Sequence, residues 1–172
     1  MEQYKIRLKE LEENDGIEGL KFLHELVNED GIMVAPAPKD INEETYPIWL
    51  KGKVDLAKGI NIPEGFIPCT TYWVILDDKI IGLANIKHYL NDNLRKKGGH
   101  LGLAIAKEYR NKGIGFKITK LLIEKARDEF NIDDILLTNE PDNIASRKLC
   151  EKLGAELTDI DEHCHYWLRK EK

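Results

Sequence analysis

Apolar and polar positions along the chain follow two periods. "YKIRLKEL" (4–11) alternates every second residue and predicts an opening strand, and "IEGLKFLHELVNE" (17–29) carries the helical period of an amphipathic helix. Pro36 and Pro38 in "APAPKDI" interrupt regular structure before a less regular helix expected around 46–58, and "NIPEGFIP" reads as a loop. The β-branched and aromatic run "CTTYWVIL", a turn at Asp77, Asp78 and Lys79, and "IIGLANIKHYL" together predict an antiparallel hairpin. A polar link, "NDNLRKKGG", then leads into "HLGLAIAKEY" (100–109), a third strand with a nearly continuous apolar centre.

Ile114, Ile118, Leu121, Leu122, Ala126 and Phe130 form one stripe on a 3.6-residue period, which predicts a long helix from near Gly113 to 130. "DDILLTNE" predicts a short buried strand at 134–139. "DNIASRKLCEKLGAE" predicts a helix entered through Asp142 or Asn143 and closed by Gly154, and "CHYWLRK" a last strand. Strand, helix and strand at 100–109, 113–130 and 134–139 make a right-handed crossover, so those two strands are expected to run parallel. There is no repeat, and 172 residues suit one domain over 1–172.

Composition narrows the classes. A hydrophobic fraction of 42% and a charged fraction of 33% are those of a globular protein, and no apolar run approaches the ~18 residues of a membrane span. The first residues have no signal-peptide core, and three cysteines (Cys69, Cys150, Cys164) without CxxC spacing read as reduced thiols, so a cytoplasmic location and no membrane partner are expected. The net charge of −5 argues against a general nucleic-acid binder. It hides an asymmetry: residues 95–125 hold nine Lys or Arg against two acids, net +7, which leaves −12 on everything else. A compact polyanion suits the first region and a cationic partner the second.

The stretch "AKEYRNKGIGFKITKLL" (106–122) joins that basic region to a helix start. The first turn of a helix offers N–H groups without intrahelical acceptors and a partial positive charge. Gly113 and Gly115 keep side chains away from those groups, and Arg110 can add a forked donor to phosphate oxygens, so the segment is expected to cradle a pyrophosphate. A P-loop is excluded because GxxxxGK[ST] is absent. A dinucleotide-binding turn is excluded because Ile118 stands where its third glycine belongs and Lys107 to Lys112 separate the strand from Gly113.

R-x-x-G-x-G at Arg110, Gly113 and Gly115, followed by N-x-x-S-x-x-L-x-x-K-x-G at Asn143, Ser146, Leu149, Lys152 and Gly154, within this order of elements, resembles the GNAT superfamily of acetyl-CoA-dependent N-acetyltransferases. The resemblance is close over about 68–168 and extends to the first 67 residues only in element order. "LNDNLRKKGGHLGLAI" and "DNIASRKLCEKLGA" look like a branch whose substrates are largely unassigned. It implies an α/β (α+β) fold with a mixed, mostly antiparallel sheet of six to seven strands, flanked by about four helices, in which 100–109 and 134–139 splay apart. Acetyl-CoA would be the cosubstrate, with no metal, and an amine of a small molecule or peptide the acceptor. A homodimer is compatible with such a domain.

The resemblance also distributes roles. Pantetheine would lie against Leu103, Ala104 and Ile105, the pyrophosphate over Arg110, Asn111, Lys112, Gly113, Ile114, Gly115 and Phe116, and Asn143 would bond the cofactor or cap its helix. His100, opening the strand beside the thioester, is the candidate base, with Glu140 second. Many family members carry a tyrosine as acid where this chain has Cys150. That departure keeps a competing reading open: a non-catalytic acyl-CoA-binding sensor. "HCH" at 163–165 invites a metal reading but brings no third ligand, and Tyr46, Trp49, Phe66, Tyr72 and Trp73 are aromatic candidates for an acceptor pocket.

Overall fold

A computed structural model describes residues 4–27 and 34–172 of the chain. The elements are β1 (Ile6–Glu10), α1 (Ile17–Val27), α2 (Tyr46–Lys58), β2 (Cys69–Leu76), β3 (Lys79–Lys87), α3 (Asp92–Lys96), β4 (Leu101–Ile105), α4 (Ile114–Phe130), β5 (Ile135–Asn139), α5 (Ile144–Lys152), β6 (Glu156–Ile160) and β7 (Cys164–Leu168). They form two antiparallel sheets, ordered β1-β2-β3-β4 and β5-β7-β6.

The long apolar hairpin organises the first sheet. Leu76 pairs with Lys79 across a two-residue turn in which Asp77 adopts a positive φ of 46°, and β1 and β4 pair antiparallel on the outer edges of β2 and β3. Each face of this sheet is covered. Ile114, Ile118, Leu122 and Ala126 of α4 pack with Val74, Ile86, Ile135 and Tyr166, while Leu20, Leu23 and Leu26 of α1 and Trp49 and Leu50 of α2 pack with Trp73 and Leu83. The stripe read along 114–130 is therefore the face that α4 buries.

Three expectations change. The third strand stops at Ile105, because the polar stretch after Ala106 turns into a 3-10 segment, Lys107–Tyr109. The link before it contains a short helix, α3, whose cap Asn91 accepts the Leu94 N–H at 2.9 Å. β6 carries no buried residue, so it left no alternating signal. The helix expected over 17–29 is seen to Val27, and positions 28–29 lie outside the described residues.

Candidate active site

β4 ends one sheet and β5 ends the other, so each turns toward its neighbour an edge that no strand among the described residues pairs. They meet at one point, where the His100 N–H donates to the Leu136 carbonyl at 2.9 Å. Beyond that junction Leu101, Gly102, Leu103 and Ile105 wall one side of a cavity of about 600 Å³, and Leu137, Thr138 and Asn139 wall the other. Both chains run forward from the junction into the cavity walls, the arrangement of a diverging parallel pair. Peptide groups on such edges need partners, and an extended ligand with amides of its own can supply them.

The N-terminus of α4 lies at this cavity. Its cap is Gly113, at φ 76° in the left-handed region, and no side chain caps the first turn. The left-handed backbone explains glycine at 113. Gly115 has another reason: a Cβ there would stand an ordinary 3.7 Å from Ile105 Cδ1, so packing does not demand glycine, and its absence of side chain leaves room in the cavity it lines. Arg110, Lys148 and Lys152 line the same space and, among the described residues, no Asp or Glu does, so its potential suits an anion. Arg110 Nε also donates to the Ile105 carbonyl at 2.8 Å, tying the turn to the end of β4.

Of the residues the sequence singled out, Leu103, Ile105, Arg110, Asn111, Gly113, Gly115, Phe116, Asn143 and Cys150 line the cavity. Ala104, Lys112 and Ile114 do not. Lys112 is exposed, and Ile114 sends its side chain into the core and offers only backbone to the first turn. Asn143 accepts the Ser146 N–H at 3.1 Å and so caps α5.

His100, the expected base, is not among the residues that line the cavity. It is buried outside the cavity wall, its Nδ1 accepts the Leu136 N–H at 2.9 Å, and its ring stands edge-on to Trp167. Burial, then the nearby Lys87 and Arg95 charges, lowers its pKa to about 4. The bond to Leu136 occupies the one lone pair a neutral imidazole has for a proton, and Nε2 carries the hydrogen. Glu140 also lies off the cavity, exposed and 3.2 Å from His163 Nε2.

Cys150 does face the cavity, and burial pushes its thiol up to about 11. Asn139, which the sequence reading passed over, donates from Nδ2 to Cys150 Sγ at 3.3 Å, and its buried Oδ1 has no partner. The signal was available: Thr138 and Asn139 are polar residues closing an otherwise apolar strand. Tyr46, Trp49, Tyr72 and Trp73 belong to the two cores and Phe66 is exposed, so none of the five lines the cavity. Among the described residues no group of three or more His, Cys, Asp or Glu could hold a metal; His163 instead faces Glu140, and His165 sits 3.1 Å from Asp161.

A model of the acetyltransferase (GNAT) family matches residues 34–155. No curated protein matches the chain. Solved structures do. The Campylobacter jejuni N-acetyltransferase PseH in complex with acetyl coenzyme A is 13% identical over 97% of this chain and 100% of that one, with a TM-score of 0.65. RimL, a ribosomal L7/L12 alpha-N-protein acetyltransferase in complex with coenzyme A, is 13% identical over 96% and 94%, at 0.66. The dodecameric spermidine N-acetyltransferase of Vibrio cholerae is 16% identical over 96% and 94%, at 0.67. At these identities the likeness is one of fold.

Proposed function

Because the chain belongs to the acetyltransferase (GNAT) family, we propose that it moves an acetyl group from acetyl-CoA to a primary amine by direct attack within a ternary complex. The observation that carries this is the pair of unpaired strand edges flanking a cavity with an uncapped, glycine-bearing helix start and no lining acid among the described residues. Those features fit the coenzyme. The first-turn amides of α4, with Arg110, Lys148 and Lys152, would hold its diphosphate. The edge of β4 would pair the pantetheine amides, and Asn139 Oδ1, an acceptor without a donor, suits an amide N–H.

Acetyl-CoA supplies an activated acyl group: nitrogen bonds to the thioester carbon, the C–S bond breaks, and the coenzyme departs as its thiolate. A β4 N–H near Leu103 or Ala104 would meet the carbonyl oxygen as negative charge develops on it. Cys150, with its thiol pushed up to about 11, stays protonated and can hydrogen-bond the departing sulfur. Full transfer of its proton to a thiolate of ordinary pKa ~8.5 would run about 3 kcal/mol uphill, so water is the better final donor. With the His100 lone pair engaged by the Leu136 N–H, the amine's proton also leaves through water in this reading, and amines of lower pKa are expected to react faster near neutrality.

The surplus of acid outside 95–125 favours a cationic acceptor, such as a polyamine, an amino-sugar or a peptide amine. One observation supports the sensor reading instead: the His100 lone pair is taken by the Leu136 N–H, and the cavity is lined by Cys150 where many family members carry a tyrosine. Thiol release from acetyl-CoA with a panel of such amines tests the choice. Turnover with at least one amine is expected, whereas tight binding without turnover on any would favour the sensor. Arg110→Ala is expected to weaken acetyl-CoA binding about tenfold in calorimetry, the worth of one charge-assisted hydrogen bond. Unchanged affinity would remove Arg110 from the cradle.

A further inference from the structure

Besides Asn139, the β4 side of the cleft carries a second buried carboxamide with an unused oxygen. Asn85 of β3 stands directly across the ladder from Gly102 of β4, so the two project on one face of the sheet, the face of Leu83 that α1 and α2 cover. Asn85 is 4% exposed. Its Nδ2 donates to the Val34 carbonyl at 2.5 Å, which fixes which end of the amide is nitrogen and leaves Oδ1 as a pure acceptor with no partner among the described residues. Both residues that bracket it, Val34 and Gly102, line the cavity.

The glycine at 102 is what admits this side chain. A Cβ on Gly102 would fall 2.6 Å from Asn85 Oδ1 and 3.3 Å from Val34 Cγ1, so any larger residue would collide with the oxygen or drive it away. Gly102 has no positive φ, so the requirement is one of space and not of backbone conformation. A buried carbonyl oxygen left without a donor is costly. The feature is best accounted for by a ligand that brings an N–H to it. Leu101, Leu103 and Ile105 project to the opposite face, toward α4, where the diphosphate cradle lies. Asn85 therefore serves the side of the split away from the coenzyme's phosphates.

We infer that Asn85 Oδ1, buried against the bare backbone of Gly102 at the cavity wall, is the hydrogen-bond acceptor for the N–H of the acyl-accepting primary amine. This rests on the acetyltransferase reading above. A neutral carbonyl suits the reaction better than a carboxylate there: it orients an N–H without stabilising the ammonium form, which cannot attack.

The test uses the full chain, thiol release from acetyl-CoA, and three probes: spermidine, glucosamine and a tetrapeptide with a free N-terminus. For the best of these, Asn85→Ala is expected to raise the amine KM about tenfold, with calorimetric affinity for acetyl-CoA within about twofold of the original. Gly102→Ala, which places its Cβ against the same oxygen, is expected to do likewise and decides the matter if Asn85→Ala does not fold. An unchanged amine KM in either folded variant overturns the inference, as does a parallel loss of acetyl-CoA affinity, which would assign Asn85 to the coenzyme. Binding of acetyl-CoA by the unaltered chain with no turnover on any probe is a different failure, because it ends the acetyltransferase reading itself.

Discussion

Gly115→Asp is expected to lower affinity for acetyl-CoA by at least about 100-fold while leaving the melting temperature unchanged or slightly raised. The two effects have opposite signs for one reason. Gly115 is the second residue of α4, where an acid interacts favourably with the helix dipole by about 0.3–1 kcal/mol, and replacing a helical glycine adds propensity. A new side chain also fits, since its Cβ would meet only Ile105 Cδ1 at 3.7 Å. The same carboxylate would occupy the ground assigned to the diphosphate. At an effective dielectric of ~20, like charges ~4 Å apart repel by about 4 kcal/mol, enough for a loss near a thousandfold. Gly115→Ala adds bulk without charge and is expected to cost far less. Calorimetry with acetyl-CoA and a thermal melt of each variant are the measurements; a folded Gly115→Asp protein that binds within threefold of the original would contradict the cradle.

The second large effect concerns His100 and stability. Its pKa is lowered from an ordinary 6.5 to about 4, mainly by burial and then by Lys87 and Arg95. A lowered histidine pKa means the unfolded chain binds the proton more readily than the folded one. Stability due to this group is thus fully present above about 6.5 and is lost as pH falls toward about 4. The loss amounts to as much as about 3 kcal/mol, or several degrees in melting temperature for a chain of this size. His100→Gln keeps an acceptor for the Leu136 N–H and removes the titration. Between pH 7 and 4 the variant is expected to lose markedly less stability than the original protein. Parallel melting curves across that window would show that His100 does not titrate as its surroundings require.

How far the sequence carried depends on where the information lay. The stripe from Ile114 to Phe130 and the hairpin around Asp77 are local patterns of burial, and both elements formed where their periods placed them. β6 escaped because a strand with no buried residue has no alternation to read. Arg110, Gly113 and Gly115 were legible because a helix start with bare backbone is itself a sequence pattern. The surroundings of His100 were not legible for a nonlocal reason: its lone pair goes to a backbone amide 36 residues away, in a strand from the other sheet. The unused oxygen of Asn85 was invisible for a similar reason, since it is defined by what surrounds it in space.

Amide hydrogen exchange, resolved by residue with and without acetyl-CoA, probes the cleft most directly. If the coenzyme threads between the sheets, added protection appears along Leu101–Ile105 and at Ile114, Gly115 and Phe116, and the distant hairpin turn at Asp77 stays unchanged. Saturating acetyl-CoA that leaves both β4 and the first turn of α4 exchanging as before would contradict the account.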